Sequence, residues 1–336
     1  MVTSTSRALW RGTAAAAALT LAASLSACAG GSASGGDSSG QNLTFYMVPG
    51  LTTHPAYMTM YCGGKEAADE LGVALEYTGA TTWDPSAQLP VVQSLLAKSP
   101  SALLLTPTDG GALRPVVDQY LSADIPVVAL DTTLTDTSGL SAEISSSNEQ
   151  GGAAAATALG EAIGGTGTVA IISGSPGAST DAARTKGFQD EMKKSFPDVT
   201  LLEPEYSKSV VATAESQVQA LMLANPDLAG VFGVNGNSAT GAANAIVNAG
   251  KKGEIPVAGY DAEPATVEQL KAGNISILVV QDFKKEGRLG VEAAYEAVTG
   301  EASEIETPVY LENVIATTAN ADDPEVSKYF YRETCD

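Results

Sequence analysis

The sequence predicts an α/β protein made of two doubly wound parallel sheets. Three observations predict it: short continuous apolar runs, amphipathic stretches between them, and a length that accommodates two such series. Strands of a parallel sheet are buried on both faces by helices, so they read as unbroken apolar runs alternating with helical patterns. The first series places strands at Leu43–Met47, Ala74–Tyr77, Ala102–Thr106, Pro126–Asp131 and Ala142–Ser146. The second places them at Thr168–Ser173, Thr200–Glu203, Gly230–Asn235, Pro256–Asp261 and Ser276–Gln281. Helical stretches in the first series are Tyr57–Leu71 and Val116–Ser122. Those of the second are Gly151–Ile163, Ala183–Lys194, Ala212–Leu223, Ala239–Ala249 and Ala265–Ala272, with Glu286–Val298 after them.

The first residues read as an export signal. Arg7 and Arg11 precede the apolar run Thr13 to Leu25, and small residues lead to Cys28. A charged start, a short apolar core and a small-residue cleavage site make a secretory signal, too short for a membrane span. A cysteine at the cleavage point turns residues 1–27 into a lipoprotein signal, with Cys28 as the expected lipid-bearing residue. The Gly/Ser/Ala-rich stretch through residue 41 then reads as a flexible tether, 28–41 in all. An ordinary signal peptide with an incidental cysteine is the competing reading. With Cys28 lipidated, Cys62 and Cys335 remain as a pair in an oxidising compartment, where a disulfide persists. The alternative is two separate thiols.

Removal of residues 1–27 takes two arginines and no acid, leaving 39 acids against 16 bases, a formal charge of −23. Such a balance argues against nucleic acid, whose phosphates demand Lys and Arg, and against a multiply charged anionic ligand. Acidity that merely keeps an exposed protein soluble is a simpler account of the charge itself.

In open α/β sheets, ligands bind beyond the carboxyl ends of the strands. Four expected strands end on planar polar side chains: Asp131, Asn235, Asp261 and Gln281. Singly, such residues are more often turns or caps; together they form a set suited to hydroxyl groups. His54, the only histidine, sits at a strand-to-helix mouth beside Pro55, and Tyr57 offers a ring for the C–H face of a sugar. Arg184, early in its helix, offers a fork of donors or a surface salt bridge.

The landmarks "VVALDTT", "SSSNEQGG", "DAARTKGF", "FGVNGNSATGA", "VAGYDAEP" and "ILVVQD" stand in the order of the ribose-binding type of periplasmic binding protein. The chain resembles that type I family over nearly all of residues 42–320. The resemblance implies two Rossmann-like lobes joined by a three-segment hinge. It puts residues 42–146 and 282–305 in the first lobe and 147–281 and 306–320 in the second; residues 321–336 form a C-terminal extension, a feature of the autoinducer-2 and polyol branch of the family. It also implies ligand contacts at His54, Tyr57, Asp131, Arg184, Tyr206, Asn235, Asp261 and Gln281. Thr132 stands where ribose binders carry Arg, and counts as a further contact. The stretch "ALEYTGATTWDPSAQ" is more similar to the branch that includes autoinducer-2 and polyol binders. In that branch Asp181 joins or replaces Arg184, Trp83 approaches the site, and Cys335 of the extension ties back to Cys62.

The function these features imply is capture of a small neutral sugar or polyol by a monomer, for delivery to an ABC permease. No cofactor, metal or nucleic acid is expected. A sensor presenting its closed form to a membrane receptor is the alternative. An enzyme is remote, since a G-x-S-x-G elbow between an expected strand and helix, a phosphate-binding loop and clustered metal ligands are absent from the sequence.

Overall fold

The computed structural model describes residues 43–300 and 305–335. The signal segment, Cys28 and the tether lie outside the described residues, as do 301–304 within the expected first-lobe span. The chain begins β1 (Thr44–Val48), α1 (Pro55–Leu71), β2 (Ala74–Tyr77), α2 (Pro85–Leu96), β3 (Ala102–Leu105), α3 (Gly110–Ser122), β4 (Val127–Leu130) and β5 (Ala142–Ser146). It continues α4 (Asn148–Ala162), β6 (Gly167–Ser173), α5 (Ser179–Ser195), β7 (Val199–Leu201), β8 (Glu205–Tyr206) and α6 (Val211–Ala224). Then come β9 (Leu228–Gly233), α7 (Gly236–Asn248), β10 (Val257–Tyr260), α8 (Pro264–Lys271) and β11 (Ile277–Val280). The last elements are α9 (Phe283–Thr299), β12 (Val309–Leu311), β13 (Val314–Thr317) and α10 (Pro324–Ser327).

Among the described residues, one sheet has six strands in the order β12-β5-β4-β3-β1-β2. The other has seven, β13-β11-β10-β9-β6-β7, with β8 also on β6. Every pairing is parallel except that of β11 with β13. The central strands β3, β4, β9, β10 and β11 are almost wholly buried, which is why they read as apolar runs. Helices α1 and α9 pack on each other and α9 on the first sheet, while α4 pairs with α5 beside the second. Those helix pairs approach closely through glycine: a Cβ on Gly63 or Gly287 would strike the backbone of the facing helix, as would one on Gly152 or Gly187.

The expected alternation is present, with differences that have local causes. Helix α2 was not anticipated, because Pro90 breaks its pattern; Pro85 near its start and the capping Asp84 carry it. Helix α3 starts at Gly110, earlier than expected, capped by Asp109 and passing through Pro115. Strands β8, β12 and β13 are short additions of two to four residues, and the apolar runs of β12 and β13 span only three residues each.

Among the described residues, the chain crosses between the sheets three times: between β5 and α4, between β11 and α9, and between β12 and β13. The last crossing lies beyond Leu311, because Val309–Leu311 pairs with β5 in the first sheet. Residues 306–311 therefore continue the first lobe, a correction to the expected boundary at 305/306. At the crossings, Ser147 N–H donates to Leu311 O (2.7 Å), and the Asn313 amide donates to Ser147 O (2.9 Å). The extension packs back on the body: Cys62 of α1 and Cys335 are joined in a disulfide.

Candidate functional site

Asp131 and Asp261 follow β4 and β10 directly, and both adopt left-handed backbone, with φ of 61° and 71°. Each donates its N–H to the neighbouring strand, Asp131 to Ile144 O and Asp261 to Val279 O, both at 2.9 Å. The side chains turn into a cleft of about 420 Å³ between the lobes, within the ordinary size range of small-molecule sites.

From the first lobe the cleft receives His54, Tyr57, Trp83, Asp131 and Phe283. Tyr57 donates its hydroxyl to Asp131 Oδ2 (2.8 Å) and stacks on Trp83, centroids 6.2 Å apart. Phe283 meets Tyr57 edge-on at 5.9 Å, so three rings line one wall.

The second lobe contributes Asp181, Arg184, Asn235, Asp261 and Gln281. Gln281 Nε2 donates to Asp261 Oδ1 (2.6 Å), Gly236 N–H donates to Asp261 Oδ2 (3.2 Å), and Arg184 lies 3.7 Å from Oδ2. Arg184 is buried; its Nε donates to Asn148 Oδ1 (2.7 Å) and its guanidinium sits 3.8 Å over the Tyr260 ring. Asn235 caps α7 by accepting from Ser238 N–H (3.0 Å), and its amide donates to Ser209 Oγ (3.1 Å). Asp181 accepts from Ser175 N–H (2.9 Å).

Polar contacts also join the lobes beside the cleft. His54 Nε2 is 2.9 Å from Glu263 Oε1, and Thr133 N–H donates to Ser179 Oγ (3.1 Å). His54 also caps α1, its Nδ1 accepting from Ala56 N–H (3.3 Å). Burial pushes the His54 pKa down, but the hydrogen bond and charge of Glu263 outweigh it, and the net pKa lies above the ordinary value. Burial tends to raise the Glu263 carboxyl; the bond to His54 holds it below the usual range.

Burial raises Asp131 to about 6, opposed by the positive charge of Arg184 and the Tyr57 hydroxyl. Asp181 and Asp261 are raised for the same first reason, again opposed by Arg184. Carboxylates thus outnumber the cations His54, Arg184 and Lys208 around the cleft, a setting hostile to an anion. Three buried polar atoms of the lining have no partner within the protein: Asp131 Oδ1, Gln281 Oε1 and Trp83 Nε1. A buried polar group left unpaired costs about 1–3 kcal/mol. Two acceptors and a donor beside a wall of rings is a surface that suits a polyhydroxylated molecule with an apolar C–H face.

Of the residues expected from sequence, the cleft gathers His54, Tyr57, Trp83, Asp131, Asp181, Arg184, Asn235, Asp261 and Gln281. Two expected residues lie outside the lining of the cleft. Tyr206 is 46% exposed on β8 and outside the lining. The turn after it, with Lys208 and Ser209 both at positive φ, brings those two residues to the cleft in its place. Thr132 is buried and turned away, donating to Pro107 O (2.6 Å). It lines an adjoining cavity of about 480 Å³, which shares Asp131 and Thr180 with the cleft. That cavity is the larger, but it has no cationic lining residue, and neither Trp83 nor Gln281 reaches it. Sequence reasoning missed Glu263, Phe283, Lys208 and Ser209; the Asp-Ala-Glu-Pro start of α8 was a usable signal for Glu263 alone. No cluster of three metal-ligating side chains occurs among the described residues.

Comparisons with known proteins agree with this architecture. A family model described as a periplasmic binding protein domain matches residues 45–302. The ribose import binding protein of Salmonella typhimurium is 29% identical over 273 residues, covering 81% of this chain and 90% of that protein. A xylitol-binding protein of Mycolicibacterium smegmatis is 27% identical over 304 residues, covering 89% and 83%. An ABC transporter solute-binding protein of Agrobacterium vitis, solved with α-D-tagatopyranose, superposes with a TM-score of 0.83 at 35% identity, covering 86% of this chain and 99% of that one. With the family model spanning most of the chain and two sheets of the matching topology, this protein belongs to the periplasmic binding protein family, whose members are transport solute-binding proteins and not enzymes.

Proposed function

We propose that this chain is the solute-binding component of an ABC importer and captures a neutral sugar or polyol in the interlobe cleft. The observation that carries the reading is the set of partnerless buried groups, Asp131 Oδ1, Gln281 Oε1 and Trp83 Nε1, beside the rings of Trp83, Tyr57 and Phe283. The names of the relatives support the ligand class: ribose, xylitol and tagatose are neutral polyhydroxyl compounds.

In this mechanism ligand hydroxyls donate to Asp131 Oδ1 and Gln281 Oε1, the Trp83 indole donates to a ligand oxygen, and the rings cover the C–H face. Hydrogen bonds to a charged group each contribute about 1.5–3 kcal/mol. Because the groups come from both lobes, the ligand binds the closed arrangement more tightly than an open one and shifts the population toward it. His54 and Glu263 are the contact that completes closure. The closed form is then the shape a permease recognises. Residues 1–27 export the chain and Cys28 anchors it, as a monomer, to the cell membrane, on its outer face or periplasmic side.

A thermal-shift panel of D-ribose, D-tagatose, D-arabinose, xylitol and a sugar phosphate tests the ligand class. At one hundred times the dissociation constant, a binding sugar stabilises the protein by about 2.7 kcal/mol. Stabilisation by the sugar phosphate alone would remove the neutral-ligand reading. Anchoring is tested separately, by whether Cys28→Ser releases the protein from membranes into the medium.

A further inference from the structure

Beyond α10 the chain runs from the second lobe to the first, and on the way it passes beneath the tips of β10 and β11. Tyr331 is buried there. Its hydroxyl accepts from the Gln281 backbone N–H (3.4 Å) and donates to Asp261 Oδ1 (3.2 Å). Its own N–H donates to Ala262 O (3.0 Å). One hydroxyl therefore joins two cleft residues on neighbouring strands. The Tyr331 ring meets Phe283 edge-on at 5.1 Å, extending the ring wall of the cleft. Past Tyr331, Arg332 N–H donates to Thr59 Oγ1 on α1 (2.7 Å), and Cys335 is bonded to Cys62 on the same helix.

The consequence for the cleft follows from Gln281. Its Nε2 is directed to Asp261 Oδ1, which leaves Oε1 as one of the unpartnered acceptors. A flipped amide would face one oxygen to another, so the carboxylate of Asp261 decides which end of Gln281 the ligand meets. Tyr331 holds that carboxylate oxygen from the far side.

We propose that the C-terminal extension is a working part of the cleft: Tyr331 is a positioning residue that fixes Asp261 and Gln281 for the ligand, and the Cys62–Cys335 bond holds Tyr331 in place. The proposal rests on the reading of the cleft as a sugar or polyol site. It goes further in making ligand affinity depend on a segment that lies outside the lining.

The test compares wild type with Tyr331→Phe and Cys335→Ser. Phenylalanine keeps the ring against Phe283 and removes only the hydroxyl. Without ligand, amide hydrogen exchange of Gln281 is expected to accelerate at least about tenfold in both variants, while strand β6 exchanges as before. With the member of the sugar panel that stabilises wild type, affinity is expected to fall roughly five- to tenfold in Tyr331→Phe, the loss of one hydrogen bond. Loss of a donor disfavours ionised Asp261, so the acid midpoint of binding moves to higher pH. A segment that only stabilises the fold would lower the melting temperature and leave that midpoint where it was. Unchanged Gln281 exchange in Tyr331→Phe overturns the proposal, and so does accelerated exchange with unaltered affinity and midpoint. If wild type binds none of the panel sugars, the sugar reading fails on its own, and the exchange of Gln281 still decides the role of Tyr331.

Discussion

Asp131 and Asp261 occupy corresponding places in their two sheets, each following a buried parallel strand, each at positive φ, each donating its N–H to the next strand. Their side chains differ. Asp131 takes one hydroxyl, from Tyr57, and keeps Oδ1 unpartnered. Asp261 is saturated by Gln281, Tyr331, the Gly236 N–H and the Arg184 guanidinium. The same local backbone thus presents a free acceptor in one lobe and a preorganised frame in the other. In the proposed reading, Asp131 meets the ligand with a free oxygen, whereas Asp261 meets it only through Gln281, whose amide it aims.

The largest expected effect separates the two by stability. Asp261→Ala leaves buried Arg184 without its carboxylate partner, and breaking a buried pair this way costs about 3 kcal/mol. A denaturant titration of the ligand-free variant reads that loss; wild-type stability would break the contrast. Asp131→Asn is expected to weaken sugar binding about a hundredfold, the value of one or two charged hydrogen bonds, with unaltered or higher ligand-free stability. The sign follows from its raised pKa: folding favours the protonated form, so ionisation of Asp131 lowers stability as pH climbs from the ordinary carboxylate range through about 6. Calorimetric titration paired with melting of the free protein checks both halves.

The pH dependence sharpens the same point. If the ligand requires ionised Asp131, affinity falls as pH drops below about 6, by roughly tenfold between pH 7 and pH 5. Affinity that is flat over that range would mean that Asp131 does not carry the charge the ligand reads. The smallest effect belongs to Tyr206→Ala, an exposed position, where stability and affinity should stay within about 0.5 kcal/mol of wild type.

The contrast also explains what could be read in the sequence. Strand ends were legible because Asp131, Asn235, Asp261 and Gln281 interrupt apolar runs at positions where parallel sheets expose their tips. His54, beside Pro55 at a helix start, was legible for the same topological reason. Tyr206 came from the resemblance alone, and the two-residue strand that carries it has no alternation by which its facing could be checked. Lys208 and Ser209 owe their place to a turn with successive positive φ values, at residues that rarely advertise it. Glu263 looked like part of a helix start, and its partner, His54, lies in the other lobe. Tyr331 was missed although the Cys62–Cys335 pairing was expected, because the pairing fixes only the end of the extension and not the strand tips that the extension passes.

The most direct test of the central claim is a crystal structure with the tightest-binding member of the sugar panel. The account predicts one ligand between the lobes, with hydroxyls within hydrogen-bond distance of Asp131 Oδ1 and Gln281 Oε1 and a C–H face on Trp83. A sugar lodged in the adjoining cavity lined by Thr132 and Tyr310, with Trp83 and Gln281 untouched, would contradict it.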